Sequence, residues 1–172
     1  MISLRPLLFF TLALACAACH GPGSGTEAAD GEAEATYLTA ATLGEQVVLP
    51  TADYLELPRY RNASFAYGKN LAMQCRACHT FEKGAAGSLG PSLYGLFGRR
   101  AGSVDGYPYS PALAKAGFYW TPRALDGWLT QPGRFLPGNA MAFAGLPDQE
   151  ERDAVIAALL RLTAPPAGTG GG

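Results

Sequence analysis

Histidine occurs twice in the 172 residues, cysteine four times and methionine three times. Every Cys and His lies in one of two Cys-x-x-Cys-His strings, Cys16 to His20 and Cys75 to His79. This scarcity excludes a structural zinc site at the second string, because no further Cys pair follows Cys78 to complete four ligands. A thioredoxin-like redox pair would need a surrounding βαβ pattern, and there is none. No apolar run reaches the roughly 20 residues that a membrane-spanning helix requires. Basic residues are outnumbered, 13 Lys and Arg against 14 Asp and Glu, and form no stripe with stacking aromatics. Nucleic acid is thereby excluded as a partner class. No segment shows a convincing strand pattern, so the expected fold class is all-α.

What is present is unevenly spread. Residues 1–19 hold a single base, Arg5, followed by an apolar core from Leu7 to Ala18 with small residues at its end. They are expected to be a secretory signal peptide. Leu12-Ala13-Leu14-Ala15-Cys16 resembles a lipoprotein cleavage box, which makes Cys16 a candidate lipid anchor, with Cys19 as the weaker competitor and ordinary soluble export as the alternative. Residues 20–36 read as a flexible linker, 37–61 as an extended N-terminal strap, 62–163 as the folded domain and 164–172 as a disordered tail. The strap holds Val47-Val48-Leu49-Pro50 and Tyr54-Leu55-Glu56-Leu57-Pro58, too apolar for a pure linker; it either packs on the domain or docks a partner. Residues 20–61 carry seven acids against two bases, whereas 62–163 carry ten bases against seven acids. A mildly basic domain fits weak steering toward an acidic protein face.

Cys75-Arg76-Ala77-Cys78-His79 is the attachment signature of haem c. Two thiols three residues apart reach both vinyl groups on one porphyrin edge, and the adjacent His can turn its imidazole under the iron. The first string lies within the signal, where cleavage would remove or split it, and a second haem would lack a sixth ligand. One haem is therefore expected. Met141 lies 62 residues beyond His79 on a Pro-Gly loop and is the candidate sixth ligand. A lone Met is otherwise core filler. A thioether suits ferrous iron, a His/Met pair raises the potential, and filling both axial positions points to electron transfer rather than oxygen chemistry.

The remaining elements read as short helices. The first is predicted from an N-cap at Asn62 through Met73, with Phe65, Gly68, Leu71 and Ala72 facing the core. Residues 82–107 form a long Gly-rich loop. Ser110-Pro111 and Thr121-Pro122 each read as N-cap and first helical position, opening helices over 111–116 and 122–130, the second ended by Pro132. The last helix follows Pro147, with Asp148 and Glu151 at capping-box spacing and Val155, Ile156, Leu159, Leu160 and Leu162 as its apolar face.

With these residues in place, 62–163 resembles the class I cytochromes c, the group of mitochondrial cytochrome c and bacterial cytochrome c2. The resemblance implies a fold of short helices and Gly-rich loops around one covalent haem c. By that likeness Cys75 and Cys78 form the thioethers, His79 the proximal bond and Met141 the distal one. The Pro91 carbonyl would accept the His79 ring N–H, and Leu93 would pack on the porphyrin. Arg99, Tyr109, Ser110 and Trp120 would donate to the propionates, and Trp128 stands where the family places a Tyr near the distal Met. Standing alone, Leu93, Tyr109 and Trp120 are ordinary core residues and Arg99 an ordinary solvated charge. Departures are Asn139 in place of a Thr, Ala140 in place of a Lys, and Ala158 in place of the aromatic that crosses the first helix. The lysine ring is sparse, with Arg76, Lys83 and Arg134 as the expected bases near the haem edge.

The implied function is a periplasmic, non-enzymatic electron carrier. Its partners would be a dehydrogenase or cytochrome complex upstream and an oxidase or reductase downstream. A haem enzyme or gas sensor is the alternative if the Met ligand is labile.

Overall fold

A computed structural model describes residues 37–85 and 89–166, all within one unit. The expected signal peptide, Cys16, Cys19, the 20–36 linker and the end of the tail lie outside the described residues. Eight α-helices run along the described chain, and no strand is present among the described residues. The nearest approach to a sheet is a single antiparallel bridge, Arg100 with Tyr119.

The frame is a crossing of two helices. Helix α3 (Phe65–Leu71) and helix α8 (Gln149–Leu162) meet at Gly68, where a Cβ would sit 1.9 Å from the Ala154 carbonyl oxygen and 3.1 Å from the Ala158 Cβ. Only two backbones stripped of side chains can approach so closely. Ala158, which departs from the aromatic of the resembling family, presents only a methyl group at this crossing. Helix α8 is capped by the Asp148 side chain, which accepts from the Glu151 N–H at 2.8 Å. It buries Val155, Ile156, Leu159 and Leu160 in the core, with Leu162 half-buried.

Two expectations for the first helix need correction. Its N-cap is Ser64, whose hydroxyl accepts from the Tyr67 N–H, and not Asn62, which ends the preceding helix. Phe65 lies outside the core at 38 % exposure, with the Arg161 guanidinium 5.5 Å from its ring centroid. Gly68 is the buried residue of this helix, and Ala72, at its C-cap, is buried beside it. A short α4 (Met73–Arg76) follows and leads into the attachment turn.

Residues 37–61 are no extended strap. After a turn of 3-10 helix at Ala40–Thr42 they form α1 (Thr51–Glu56) and α2 (Pro58–Arg61), with Leu43, Tyr54 and Tyr60 buried in the common core. The Gln46 side-chain amide imitates a strand. Its Nε2–H donates to the Tyr119 carbonyl at 2.7 Å, and its Oε1 accepts the Tyr119 N–H at 2.8 Å. Arg123 donates to the Leu43 carbonyl at 3.1 Å. Of the two open readings, packing on the domain is the one observed. Helicity escaped the sequence reading because six- and four-residue helices carry no periodicity to detect.

Helices α5 (Pro111–Ala114) and α6 (Pro122–Thr130) open as expected, on Ser110 and Thr121 with Pro at the first helical position. Pro132 follows the end of α6 and also starts α7 (Pro132–Phe135). Proline's fixed φ suits a first helical position, so one residue serves both ends.

Candidate functional site

The attachment turn continues from α4. The N–H groups of Cys78 and His79 both donate to the Cys75 carbonyl, at 3.1 and 2.9 Å, so Cys75 and Cys78 are one helical turn apart and share a face. Neither forms a disulfide, and both are half-buried. Burial pushes the Cys75 thiol up to about 11.

His79 is held by the segment that follows in the fold, 89–93. Gly90 donates to the Cys78 carbonyl at 2.8 Å and Leu93 to the Thr80 carbonyl at 2.8 Å, so the two stretches run side by side. Gly90 lies so close beneath the imidazole that a Cβ would be 2.3 Å from Cε1. One step on, the Pro91 carbonyl stands 2.7 Å from His79 Nδ1. A carbonyl can only accept, so Nδ1 carries the proton and Nε2 the lone pair. Burial lowers the His79 pKa, opposed by the Pro91 hydrogen bond and joined by the charge of Arg99. A neutral, oriented imidazole with Nε2 as its donor is what an iron ligand requires.

Trp128 of α6 donates its indole N–H to the Met141 sulfur at 3.2 Å. The loop carrying Met141 is organised by Asn139. Its amide donates to the Pro132 and Leu136 carbonyls, each at 2.9 Å, and its oxygen accepts the Met141 N–H at 2.9 Å. Sequence reasoning registered Asn139 only as a departure; a Pro-Gly-Asn run is the turn signal that could have identified it. Trp120 meets Trp128 edge to face at 5.2 Å and Phe118 at 4.8 Å. Cys75, Leu93 and Met141 all pack, half-buried, against the same core.

The four expected propionate donors are less uniform. Arg99 donates to the Tyr94 and Ser92 carbonyls, both at 2.8 Å, and among the described residues no carboxylate pairs with it. Burial lowers its pKa, with Tyr109 acting the other way. A half-buried guanidinium satisfied only by carbonyls suits an anionic group of a bound cofactor. The Tyr109 hydroxyl accepts from the Val104 N–H at 3.4 Å, and Ser110 spends its oxygen capping α5, accepting from Leu113 at 3.3 Å. Each hydroxyl keeps its own hydrogen to donate.

Two of the three bases expected near the haem edge have neighbours of their own. Arg76 pairs with Glu82 and lies over the Phe81 ring, and Arg134 lies 3.8 Å from the Tyr37 ring centroid. Glu82 sits six residues from Arg76, beyond helical spacing, so the pairing depends on the turn between them.

The residues therefore fit a haem: two thiols on one face, an oriented imidazole, a thioether with its own donor packed on the same core, and a guanidinium that no carboxylate among the described residues pairs with. No family model matches the chain. Among curated proteins, a cytochrome c2 of Agrobacterium tumefaciens is 43 % identical over 98 residues, covering 55 % of this chain and 88 % of that protein. A cytochrome c of Gibberella zeae is 42 % identical over 93 residues, 54 % of this chain and 88 % of that protein. A cytochrome c homolog of Bradyrhizobium diazoefficiens is 42 % identical over 107 residues, 62 % of this chain; the chain spans 58 % of that relative's length.

Proposed function

The chain belongs to the class I cytochrome c family, and from that premise we propose that it is a periplasmic electron carrier whose single haem is held by Cys75, Cys78, His79 and Met141. It carries haem c covalently and is an electron carrier, not an enzyme. When bound, the group supplies a one-electron ferric/ferrous couple.

In this reading Cys75 and Cys78 provide the thioether sulfurs, His79 Nε2 the proximal donor and the Met141 sulfur the distal one. Pro91, Leu93, Arg99, Tyr109, Ser110, Trp120 and Trp128 complete the cradle. The observation that carries the reading is the pair of restraints on the two axial candidates, Pro91 on His79 and Trp128 on Met141. Both ligands are preorganised, so little must move when the oxidation state changes. The polar partners of Met141 are an indole N–H and an amide oxygen, neither of which serves as a general acid or base at neutral pH. That disfavours the peroxidase-like alternative.

Export by residues 1–19 and lipid anchoring at Cys16 belong to the same proposal. The family and its bacterial relatives support redox partners on either side of the carrier. A dehydrogenase or cytochrome complex would deliver the electron, and an oxidase or reductase would take it. The test is the ferric spectrum of Met141→Ala. Haem should stay attached while the Fe–S charge-transfer band disappears and the iron turns high-spin. An unchanged spectrum overturns the distal assignment.

A further inference from the structure

The loop from Asn139 to Pro147 is tied down at both ends. Its near end is Asn139, described above. Its far end lies against α6: the Leu146 N–H donates to the Leu129 carbonyl at 2.7 Å, and Gly145, at φ +106°, is so close to α6 that a Cβ would be 2.2 Å from the Thr130 oxygen. Over this junction sits Arg152, a buried cation at 7 % exposure with all three guanidinium nitrogens engaged. Nη1 donates to the Leu146 and Pro147 carbonyls, each at 2.7 Å. Nε donates to Asp126 Oδ1 at 2.7 Å, and Nη2 to Gln149 Oε1 at 2.7 Å. Asp126 lies on α6, two residues before Trp128. From the N-terminal segment, Arg59 reaches the other oxygen, Asp126 Oδ2, at 3.1 Å, and also pairs with Asp153.

One guanidinium thus joins the far end of the Met141 loop to the helix bearing Trp128. A buried arginine is a costly way to gain stability alone, since apolar residues of similar volume often do as well or better. Its planar fork does something they cannot: it fixes two carbonyls and a carboxylate in one plane. We propose that Arg152 and Asp126 are positioning residues that set how firmly Met141 stays opposite Trp128, with Arg59 as a third member supplied by residues 37–61. The proposal rests on the reading that Met141 is the distal ligand.

The test uses the full-length ferric holoprotein and imidazole as the competing ligand. Asp126→Asn should raise imidazole affinity about tenfold, equivalent to about 1.4 kcal/mol lost from the Met-bound state, with a weakened Fe–S band. Arg152→Lys keeps a charge for Asp126 but lacks the fork, and should loosen the ligand to a similar degree. Arg59→Gln should give a smaller rise, about two- to threefold, because its partner keeps Arg152. Arg161→Gln, on the same helix but among the described residues bonded only to the Ala157 carbonyl and resting on Phe65, should leave imidazole affinity unchanged. Parental imidazole affinity in both Asp126→Asn and Arg152→Lys overturns the proposal, even if both melt at lower temperature. If Arg152→Lys does not fold, Asp126→Asn and the exposed-site variant Arg59→Gln decide together. Met141→Ala in the same series separates the two levels. If it leaves imidazole binding unchanged, the ligand assignment fails. If it opens the site while the clamp variants do not, only the clamp fails.

Discussion

The indole N–H of Trp128 meets the sulfur of Met141 at 3.2 Å, in a setting where Trp120 and Phe135 hold the indole edge to face at 5.2 and 5.9 Å. An indole N–H can donate and cannot accept or ionise, so it withdraws electron density from the thioether at every pH. A sulfur so polarised binds ferric iron less well than an unbonded one. Trp128→Phe keeps the ring packing and removes the donor. If the bond contributes up to about 1 kcal/mol differentially, the reduction potential should fall by roughly 20–40 mV, at about 59 mV per tenfold change for one electron. Potentiometric titration reads this directly, and a rise would show that the N–H stabilises the ferric form.

The crossing at Gly68 makes a second prediction, about stability. A methyl group there would lie 1.9 Å from the Ala154 oxygen, so α3 and α8 must part. Gly68→Ala should cost about 1–3 kcal/mol or more, as overpacking in a rigid core does. Phe65→Ala, on the exposed side of the same helix, should cost under about 1 kcal/mol. Denaturant midpoints of the two variants compare them. Equal losses would mean that Phe65 is packed as the sequence reading expected.

Acid should reveal Asp126. Burial pushes its carboxyl up, but hydrogen bonds from Arg152 and Gln149 and the charges of Arg59 and Arg152 outweigh that and hold it below its ordinary value of 3.8. Its folded pKa is therefore depressed relative to the unfolded chain. The stability it contributes is complete above that ordinary value and is lost as pH falls through the folded pKa. Thermal unfolding of the parent should weaken below about pH 4, near the ordinary carboxylate value. Asp126→Asn should weaken less over the same range, starting from a lower plateau. Parallel acid limbs would remove Asp126 from the titration.

Salt and tethering can be separated by experiment. With Arg76 paired to Glu82, its charge is partly offset toward an acidic partner, so electron transfer to a membrane partner should slow only mildly as salt shortens the Debye length from about 10 Å at 0.1 M. Cys16→Ala should shift the protein from the membrane to the soluble fraction without changing its spectrum. Transfer in intact membranes should then slow more than salt slows it, because the local concentration is lost. Identical fractionation of the two forms would remove Cys16 as the anchor.

The parts legible in the sequence are those that short stretches encode. Cys75, Cys78 and His79 are recognisable because the chemistry of attachment dictates their spacing. Ser110, Thr121 and Asp148 are recognisable because a cap and its partner N–H lie three residues apart. The Asn62 expectation failed on the same scale: two capping residues stood within three positions, and which of them caps depends on how α2 ends.

By itself, then, the sequence determined the all-α class, the starts of α5, α6 and α8 and the spacing of Cys75, Cys78 and His79, since each is written in local spacing and capping. Only the tertiary structure decided what joins distant segments. Gln46 reaches Tyr119 across 73 residues, Arg59 reaches Asp153 across 94, and Arg152 reaches Asp126 across 26. No periodicity marks such partners, because an isolated Gln or Arg reads as solvated surface until the fold removes its water and leaves a carbonyl or carboxylate in its place.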